Sequence, residues 1–138
     1  EDSAKTDVGA ELRQVLQEYG ITENVVPTWM PDGFEQVGEV LVQEYAEFGR
    51  NEFFVAYSDG SNSCTINITQ TVDPVQGRTY EKISGSPEPY ISGNIEHYII
   101  QNTDSTMAAW YIQNLECSIT ATFSRPDMER VIDSIYEE

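Results

Sequence analysis

The sequence predicts an α+β fold: a single meandering antiparallel β-sheet of about six to seven strands, with an N-terminal and a C-terminal helix packed on it. Three observations lead there. Val8, Leu12, Val15, Leu16 and Tyr19 recur on one helical face near the start. A long series of alternating, β-branched and aromatic runs follows, broken by Gly, Asn and Asp turns. Met128, Val131, Ile132, Ile135 and Tyr136 then form a second helical stripe at the end. Helix, many strands, helix is the order of a sheet covered by helices.

The elements follow in order. Residues 1–8 read as a polar tail or linker remnant, and 9–138 as one domain. Thr6 or Asp7 can cap the first helix and Gly20 can end it. Pro27-Thr28-Trp29-Met30-Pro31-Asp32-Gly33-Phe34 comes next. Its prolines fix φ and drive the preceding residues extended, and Asp32-Gly33 is a turn signal between the apolar anchors Trp29 and Phe34. This is a rigid, pinned approach to the sheet rather than a catalytic loop. Residues 35–48 read as one long strand with Val40, Val42, Ala46 and Phe48 on one face, turning at Gly49-Arg50-Asn51 into 53–57. After the turn 58–63, Cys64, Ile66 and Ile68 alternate with Thr65, Asn67 and Thr69, the mark of a half-buried strand. Residues 72–94 hold three prolines and three glycines and read as loop with one short strand near 79–83. Strands are expected at 95–101, 106–113 and 116–123. The closing helix starts with Ser124 as cap, Pro126 in its first turn and Asp127 completing a capping-box-like pair.

With 138 residues the chain is long enough for one core, and 39% hydrophobic and 11% aromatic residues fit a folded domain. The net charge is −17. Between Arg13 and Arg50 there are seven acids and no Lys or Arg, and from Ile83 to Ser124 four acids and again no basic residue. Such a field repels nucleic acid and anionic membrane surfaces. It suits a solubility charge on a secreted or surface domain; a cationic partner or weak divalent-cation binding is the sharper alternative. No segment has the length of a membrane span, and no signal peptide opens the chain. The start Glu1-Asp2-Ser3-Ala4-Lys5-Thr6-Asp7 instead predicts an upstream signal, anchor or second domain. A membrane is expected only through such a segment.

The two cysteines, Cys64 and Cys117, each open a strand run on its apolar face. Two buried free thiols are expected, with one disulfide as the alternative. Counting alternating strand directions puts both at the same end of the sheet.

Few residues invite chemistry. His97 is the only histidine, so a nucleophile–base triad is not expected. Asp59-Gly60-Ser61-Asn62-Ser63 lacks the further acids of a calcium loop, and no cofactor or metal site is expected. The 24 acids could supply a carboxylate pair for hydrolysis, with Glu96 and Glu116 nearest to apolar runs. Trp29, Tyr45, Tyr57, Tyr98 and Trp110 are candidates to line a ligand groove, set against their use as core.

The Pro-x-Trp-Met-Pro-Asp-Gly-Phe segment (27–34), Thr-Ile-Asn-Ile-Thr-Gln (65–70), Ala-Trp-Tyr (109–111) and Ser-x-x-x-Met-x-x-Val-Ile-x-Ser-Ile (124–135) carry a resemblance. The chain resembles the bacterial domain of unknown function 4367 family, common in Firmicutes. In topology it is also similar to the Mog1/PsbP-like fold. The family resemblance implies an extracytoplasmic domain, often behind a membrane anchor and sometimes in anti-sigma-like proteins, and brings no catalytic residues. The resulting expectation is a non-enzymatic extracytoplasmic interaction or sensor domain. Its sheet would meet an unknown protein, peptide or envelope ligand. The alternative is a small carbohydrate-active or other hydrolase using a carboxylate pair.

Overall fold

The computed structural model describes residues 8–72 and 88–136. In chain order these form α1 (Ala10–Glu18), β1 (Glu35–Tyr45), a 3₁₀ turn (Ala46–Phe48), β2 (Arg50–Ser58), β3 (Ser63–Thr71), β4 (Glu88–Ser92), β5 (Ile95–Gln101), β6 (Thr106–Ile112), β7 (Leu115–Ala121) and α2 (Arg125–Ile135). The expected strand near 79–83 and the caps Thr6 and Asp7 lie outside the described residues.

One antiparallel sheet takes all seven strands in the order β1-β2-β3-β7-β6-β5-β4. Two meanders, β1 to β3 and β4 to β7, are joined by pairing the last strand of each. Four antiparallel steps separate β3 from β4, so those two strands point the same way. That corrects the placing of the cysteines, because β3 and β7 are antiparallel neighbours rather than strands running the same way. Cys64 faces Ala121 and Cys117 faces Ile68 across the β3–β7 pair. The two lie four residues apart along the strands, roughly 13 Å at about 3.3 Å per residue, at opposite ends and beyond disulfide reach. Both are free and buried.

The alternation expected in the strands decides which face is buried. Phe53, Val55 and Tyr57 of β2, Ile66 and Ile68 of β3, Trp110 of β6 and Ile119 of β7 share one core. The same cluster contains Leu12 and Leu16 of α1, Met128, Val131, Ile132 and Ile135 of α2, and Val25, Val26 and Met30 between helix and sheet. Both helices therefore pack on one sheet face. Val8 also packs against this core, so the domain already includes it.

Local signals set the ends of the elements. Gly20 (φ +80) terminates α1: its N–H reaches Gln17 O at 3.0 Å, and the Ile21 N–H reaches Leu16 O at 3.0 Å. This pair of bonds, with Leu16 and Ile21 both buried, is a Schellman ending. At the start of α2, Ser124 occupies the cap position, but its side chain makes no cap hydrogen bond. Its carbonyl accepts from the Met128 N–H at 2.9 Å instead. Pro126 fits the first turn, where no N–H is needed.

Two strand expectations change. The run 35–48 stops at Tyr45; Ala46–Phe48 turn as a 3₁₀ segment, Gly49 closes them at φ +62, and Arg50 and Asn51 already belong to β2. Phe48 is thus exposed, not in line with Val40 and Val42. Within the stretch expected as loop, residues 88–92 form β4. Pro89 suggested a loop, yet an edge strand tolerates a missing donor. Gly93 (φ +59) and Asn94 (φ +67) make the two-residue left-handed turn that returns the chain as β5.

Candidate functional site

Residues 28–34 lead into β1, whose first residues, Glu35 and Gln36, pair with Ser58 and Tyr57 at the end of β2. Between residues 28–36, Val8 and Tyr57 lies a groove of about 690 Å³, whose walls include Trp29, Met30, Phe34 and Gln36. Its backbone is held from α2. The Thr28 N–H donates to Ser134 Oγ at 3.0 Å, and Thr28 Oγ1–H donates to Ser134 O at 2.9 Å. One helical turn earlier, the Arg130 guanidinium lies 4.4 Å from the centre of the Trp29 ring. Positions 130 and 134 are neighbours on a helix surface, so one stripe of α2 fixes both the backbone and the indole.

The far wall is equally defined. Phe34 meets Phe123 edge to face at 5.7 Å. The buried Tyr57 hydroxyl accepts the Gly9 N–H at 2.9 Å, and burial pushes its pKa above the ordinary phenol value. Gly9 itself has φ +78, and a Cβ there would collide with Pro27 O. Only glycine lets the start of α1 lie this close to the groove backbone. The result is an aromatic and thioether surface with Asp32 and Glu35 at its rim.

Two of the five aromatic candidates, Trp29 and Tyr57, meet here. Trp110 is fully buried beneath α2, its ring centre 4.8 Å from that of His97. Tyr45 sits at the other end of β1 under the Arg50 guanidinium, 4.8 Å away. Tyr98 lies on the helix-free face, its hydroxyl donating to Glu96 at 2.9 Å. Phe34, noted in the sequence as an anchor, is part of the groove. Arg130 and Ser134 were missed. Their i, i+4 spacing beside the stripe at 128, 131, 132 and 135 was the available signal.

A polar cluster lies at the C-terminal end of α2, on the side of Asp133 and Tyr136. His97 is fully buried, with Nδ1 3.1 Å from Tyr90 O and Nε2 2.7 Å from Tyr136 Oη. A carbonyl can only accept, so Nδ1 carries the proton and Nε2 accepts from Tyr136. Burial lowers the His97 pKa, which favours the neutral ring. Asp133 accepts from Tyr90 Oη, 2.9 Å from each carboxylate oxygen, and from Ser92 Oγ at 2.7 Å. Ser92 donates to this carboxylate rather than to the imidazole, so His97 does not activate it as a nucleophile. The cluster ties β4 to α2 and packs the imidazole on Trp110.

Asp59, the head of the conceivable calcium loop, is used by its own turn. Its Oδ1 accepts the Ser61 and Asn62 N–H groups at 2.8 and 2.6 Å, and these bonds hold its pKa below the ordinary value. Among the described residues no group of three or more His, Cys, Asp or Glu could hold a metal ion. Glu96 and Glu116 fall on the helix-free face. Tyr111 pairs with Glu116, and continuing the β5–β6 register sets Glu96 on the other side of Tyr111. Their Cα atoms are two strand spacings apart, roughly 10 Å. Among the described residues no helix is long and apolar enough to cross a membrane.

The model of a family described as a domain of unknown function, DUF4367, matches residues 24–135. The match takes in the groove segment, every strand and α2. No curated protein matches the chain.

Proposed function

The chain belongs to the DUF4367 family, a domain of unknown function, and from that premise we propose a non-enzymatic interaction or sensor domain working outside the cytoplasm. Its parent would be a membrane-anchored or secreted bacterial protein. The observation that carries the reading is the groove of about 690 Å³ at 28–36. Its aromatic walls are fixed by Thr28–Ser134 and Trp29–Arg130, as a surface built to receive apolar groups would be. The acidic field supports a partner that is not nucleic acid.

The test uses protein labelled with fluorotryptophan, whose two fluorine resonances are assigned with Trp29→Phe. Apolar tri- and tetrapeptides should move the Trp29 resonance saturably and leave that of buried Trp110 in place. No response to any of them would remove the groove from the reading. Protease treatment of intact cells bearing the full-length protein tests location: cleavage of this domain is the expected result, and protection opposes it.

The hydrolase alternative has one observation in its favour. Glu96 and Glu116 flank Tyr111 in a row across the sheet, on the same face and with Cα atoms roughly 10 Å apart, as a carboxylate pair for glycoside hydrolysis would need to share one face. Glycoside turnover that disappears in Glu96→Gln or Glu116→Gln would replace the binding reading with this one.

A further inference from the structure

β1 is an eleven-residue strand at the sheet edge. Among the described residues no strand pairs with its outer side. Proteins blunt such edges with Lys, Pro or short strands; β1 has no Lys and no Pro. Its first half is managed differently. The register slips between Val37 and Leu41, with Gly38 at φ +77. The Glu11 carboxylate of α1 accepts the Val40 N–H at 3.1 Å and the Gln36 side-chain amide at 2.7 Å. The Val40 amide therefore points away from β2. Alternation along a strand turns the backbone groups of Val42 and Glu44 outward as well, beyond the part that Glu11 covers.

The side chains along this edge are unusual for a free one. Val37 and Leu41 are 57% and 60% exposed, and Val42 is 37% exposed. Val37 and Leu41 pair with Ala56 and Phe54 of β2, so they form an apolar strip on the helix-free face. Glu39 and Glu44 on the same strand and Glu47 just beyond it are exposed, Glu44 accepting from the Tyr19 hydroxyl at 2.6 Å on the helix side. Arg50, the nearest base in sequence, is held by Glu52 at 3.4 Å and by the Tyr45 ring. Self-pairing would bring two such acidic edges together on chains of net charge −17 each, which opposes a second copy as occupant.

We propose that the outer edge of β1 from Val40 to Tyr45 takes an extended segment of a partner protein, alternating basic and apolar residues, as an added strand. Backbone hydrogen bonds to Val42 and Glu44 supply the pairing, Leu41 meets the apolar residues on the helix-free face, and Glu44 faces the Lys and Arg residues on the other. The inference rests on the interaction-domain reading but not on the groove.

The test titrates the domain with a labelled twelve-residue peptide alternating Val and Lys, followed by anisotropy and amide exchange. Two twins accompany it, one with Glu for Lys and one with Pro at alternate Val positions. The Val-Lys peptide should bind, protect the Val42 and Glu44 amides, and weaken about tenfold between about 50 and about 300 mM salt. Val42→Pro removes an outward donor that the β1–β2 ladder does not use and should weaken binding about tenfold, the loss of the pairing bonds. If that variant does not fold, Glu44→Lys should give a loss of similar direction on an intact strand. Equal binding of the proline twin, or unchanged binding by a folded Val42→Pro, overturns the proposal. A dimer in sedimentation with those amides protected in the absence of peptide overturns it in favour of a second copy. Failure here with a saturable Trp29 response to apolar peptides leaves the interaction-domain reading standing.

Discussion

Ser134→Ala asks whether α2 holds the groove segment in place. Ser134 is 1% exposed, and its Oγ accepts from the Thr28 N–H at 3.0 Å while donating to Val131 O at 2.6 Å. Val131 O remains within its helix ladder, so the loss concentrates on Thr28. A partly buried N–H left without a partner costs about 1–2 kcal/mol. Alanine regains about 0.5 kcal/mol as the better helix former. The net expectation is a loss of about 1 kcal/mol, which at a urea slope of about 2 kcal/mol/M lowers the midpoint by about 0.5 M. Amide exchange at Thr28 should quicken by a similar free energy. Thr28→Ala removes only the bond from Oγ1 to Ser134 O and should cost about 0.5–1 kcal/mol. The double variant should lose less than the sum, because one junction loosened makes the second bond weaker. A Ser134→Ala midpoint within error of the parent, with Thr28 exchange unchanged, would refute the clamp.

The remaining expectations concern the core. Ile132 is fully buried; deleting three carbons at about 0.8 kcal/mol each, plus the cavity left, predicts a loss of about 3 kcal/mol for Ile132→Ala, and one below about 0.5 kcal/mol would reject the helical stripe. Burial lowers the His97 pKa, so below its ordinary value near 6.5 the unfolded chain binds the proton more readily. Stability should fall as pH drops from there, and comparison with His97→Gln isolates the effect; parallel pH profiles would contradict the neutral imidazole. Burial pushes the Cys64 thiol up to about 12 and the Cys117 thiol higher still. A thiol reagent should therefore find both unreactive in the native protein and two thiols after denaturation without reductant, and finding none would establish a disulfide.

Alternation and helical period determined most of the fold. Cys64, Ile66 and Ile68 against Thr65, Asn67 and Thr69, and Met128, Val131, Ile132 and Ile135 on α2, place their own side chains because each face must be either buried or wet. The groove segment was legible as rigid from its prolines and as apolar from Trp29 and Phe34. Three things were decided only by the tertiary structure. Strand order turned on the pairing of β3 with β7, since local pattern contains nothing about which distant strand supplies a partner; the cysteines consequently lie at opposite ends. Pro89 sits in a strand because β4 lies at an edge, where its absent donor has no cost. Trp29 and Tyr57 share a groove while Trp110 lies in the core, because whether an aromatic lines a surface or fills an interior depends on what α2 lays over it, and that covering comes from far along the chain.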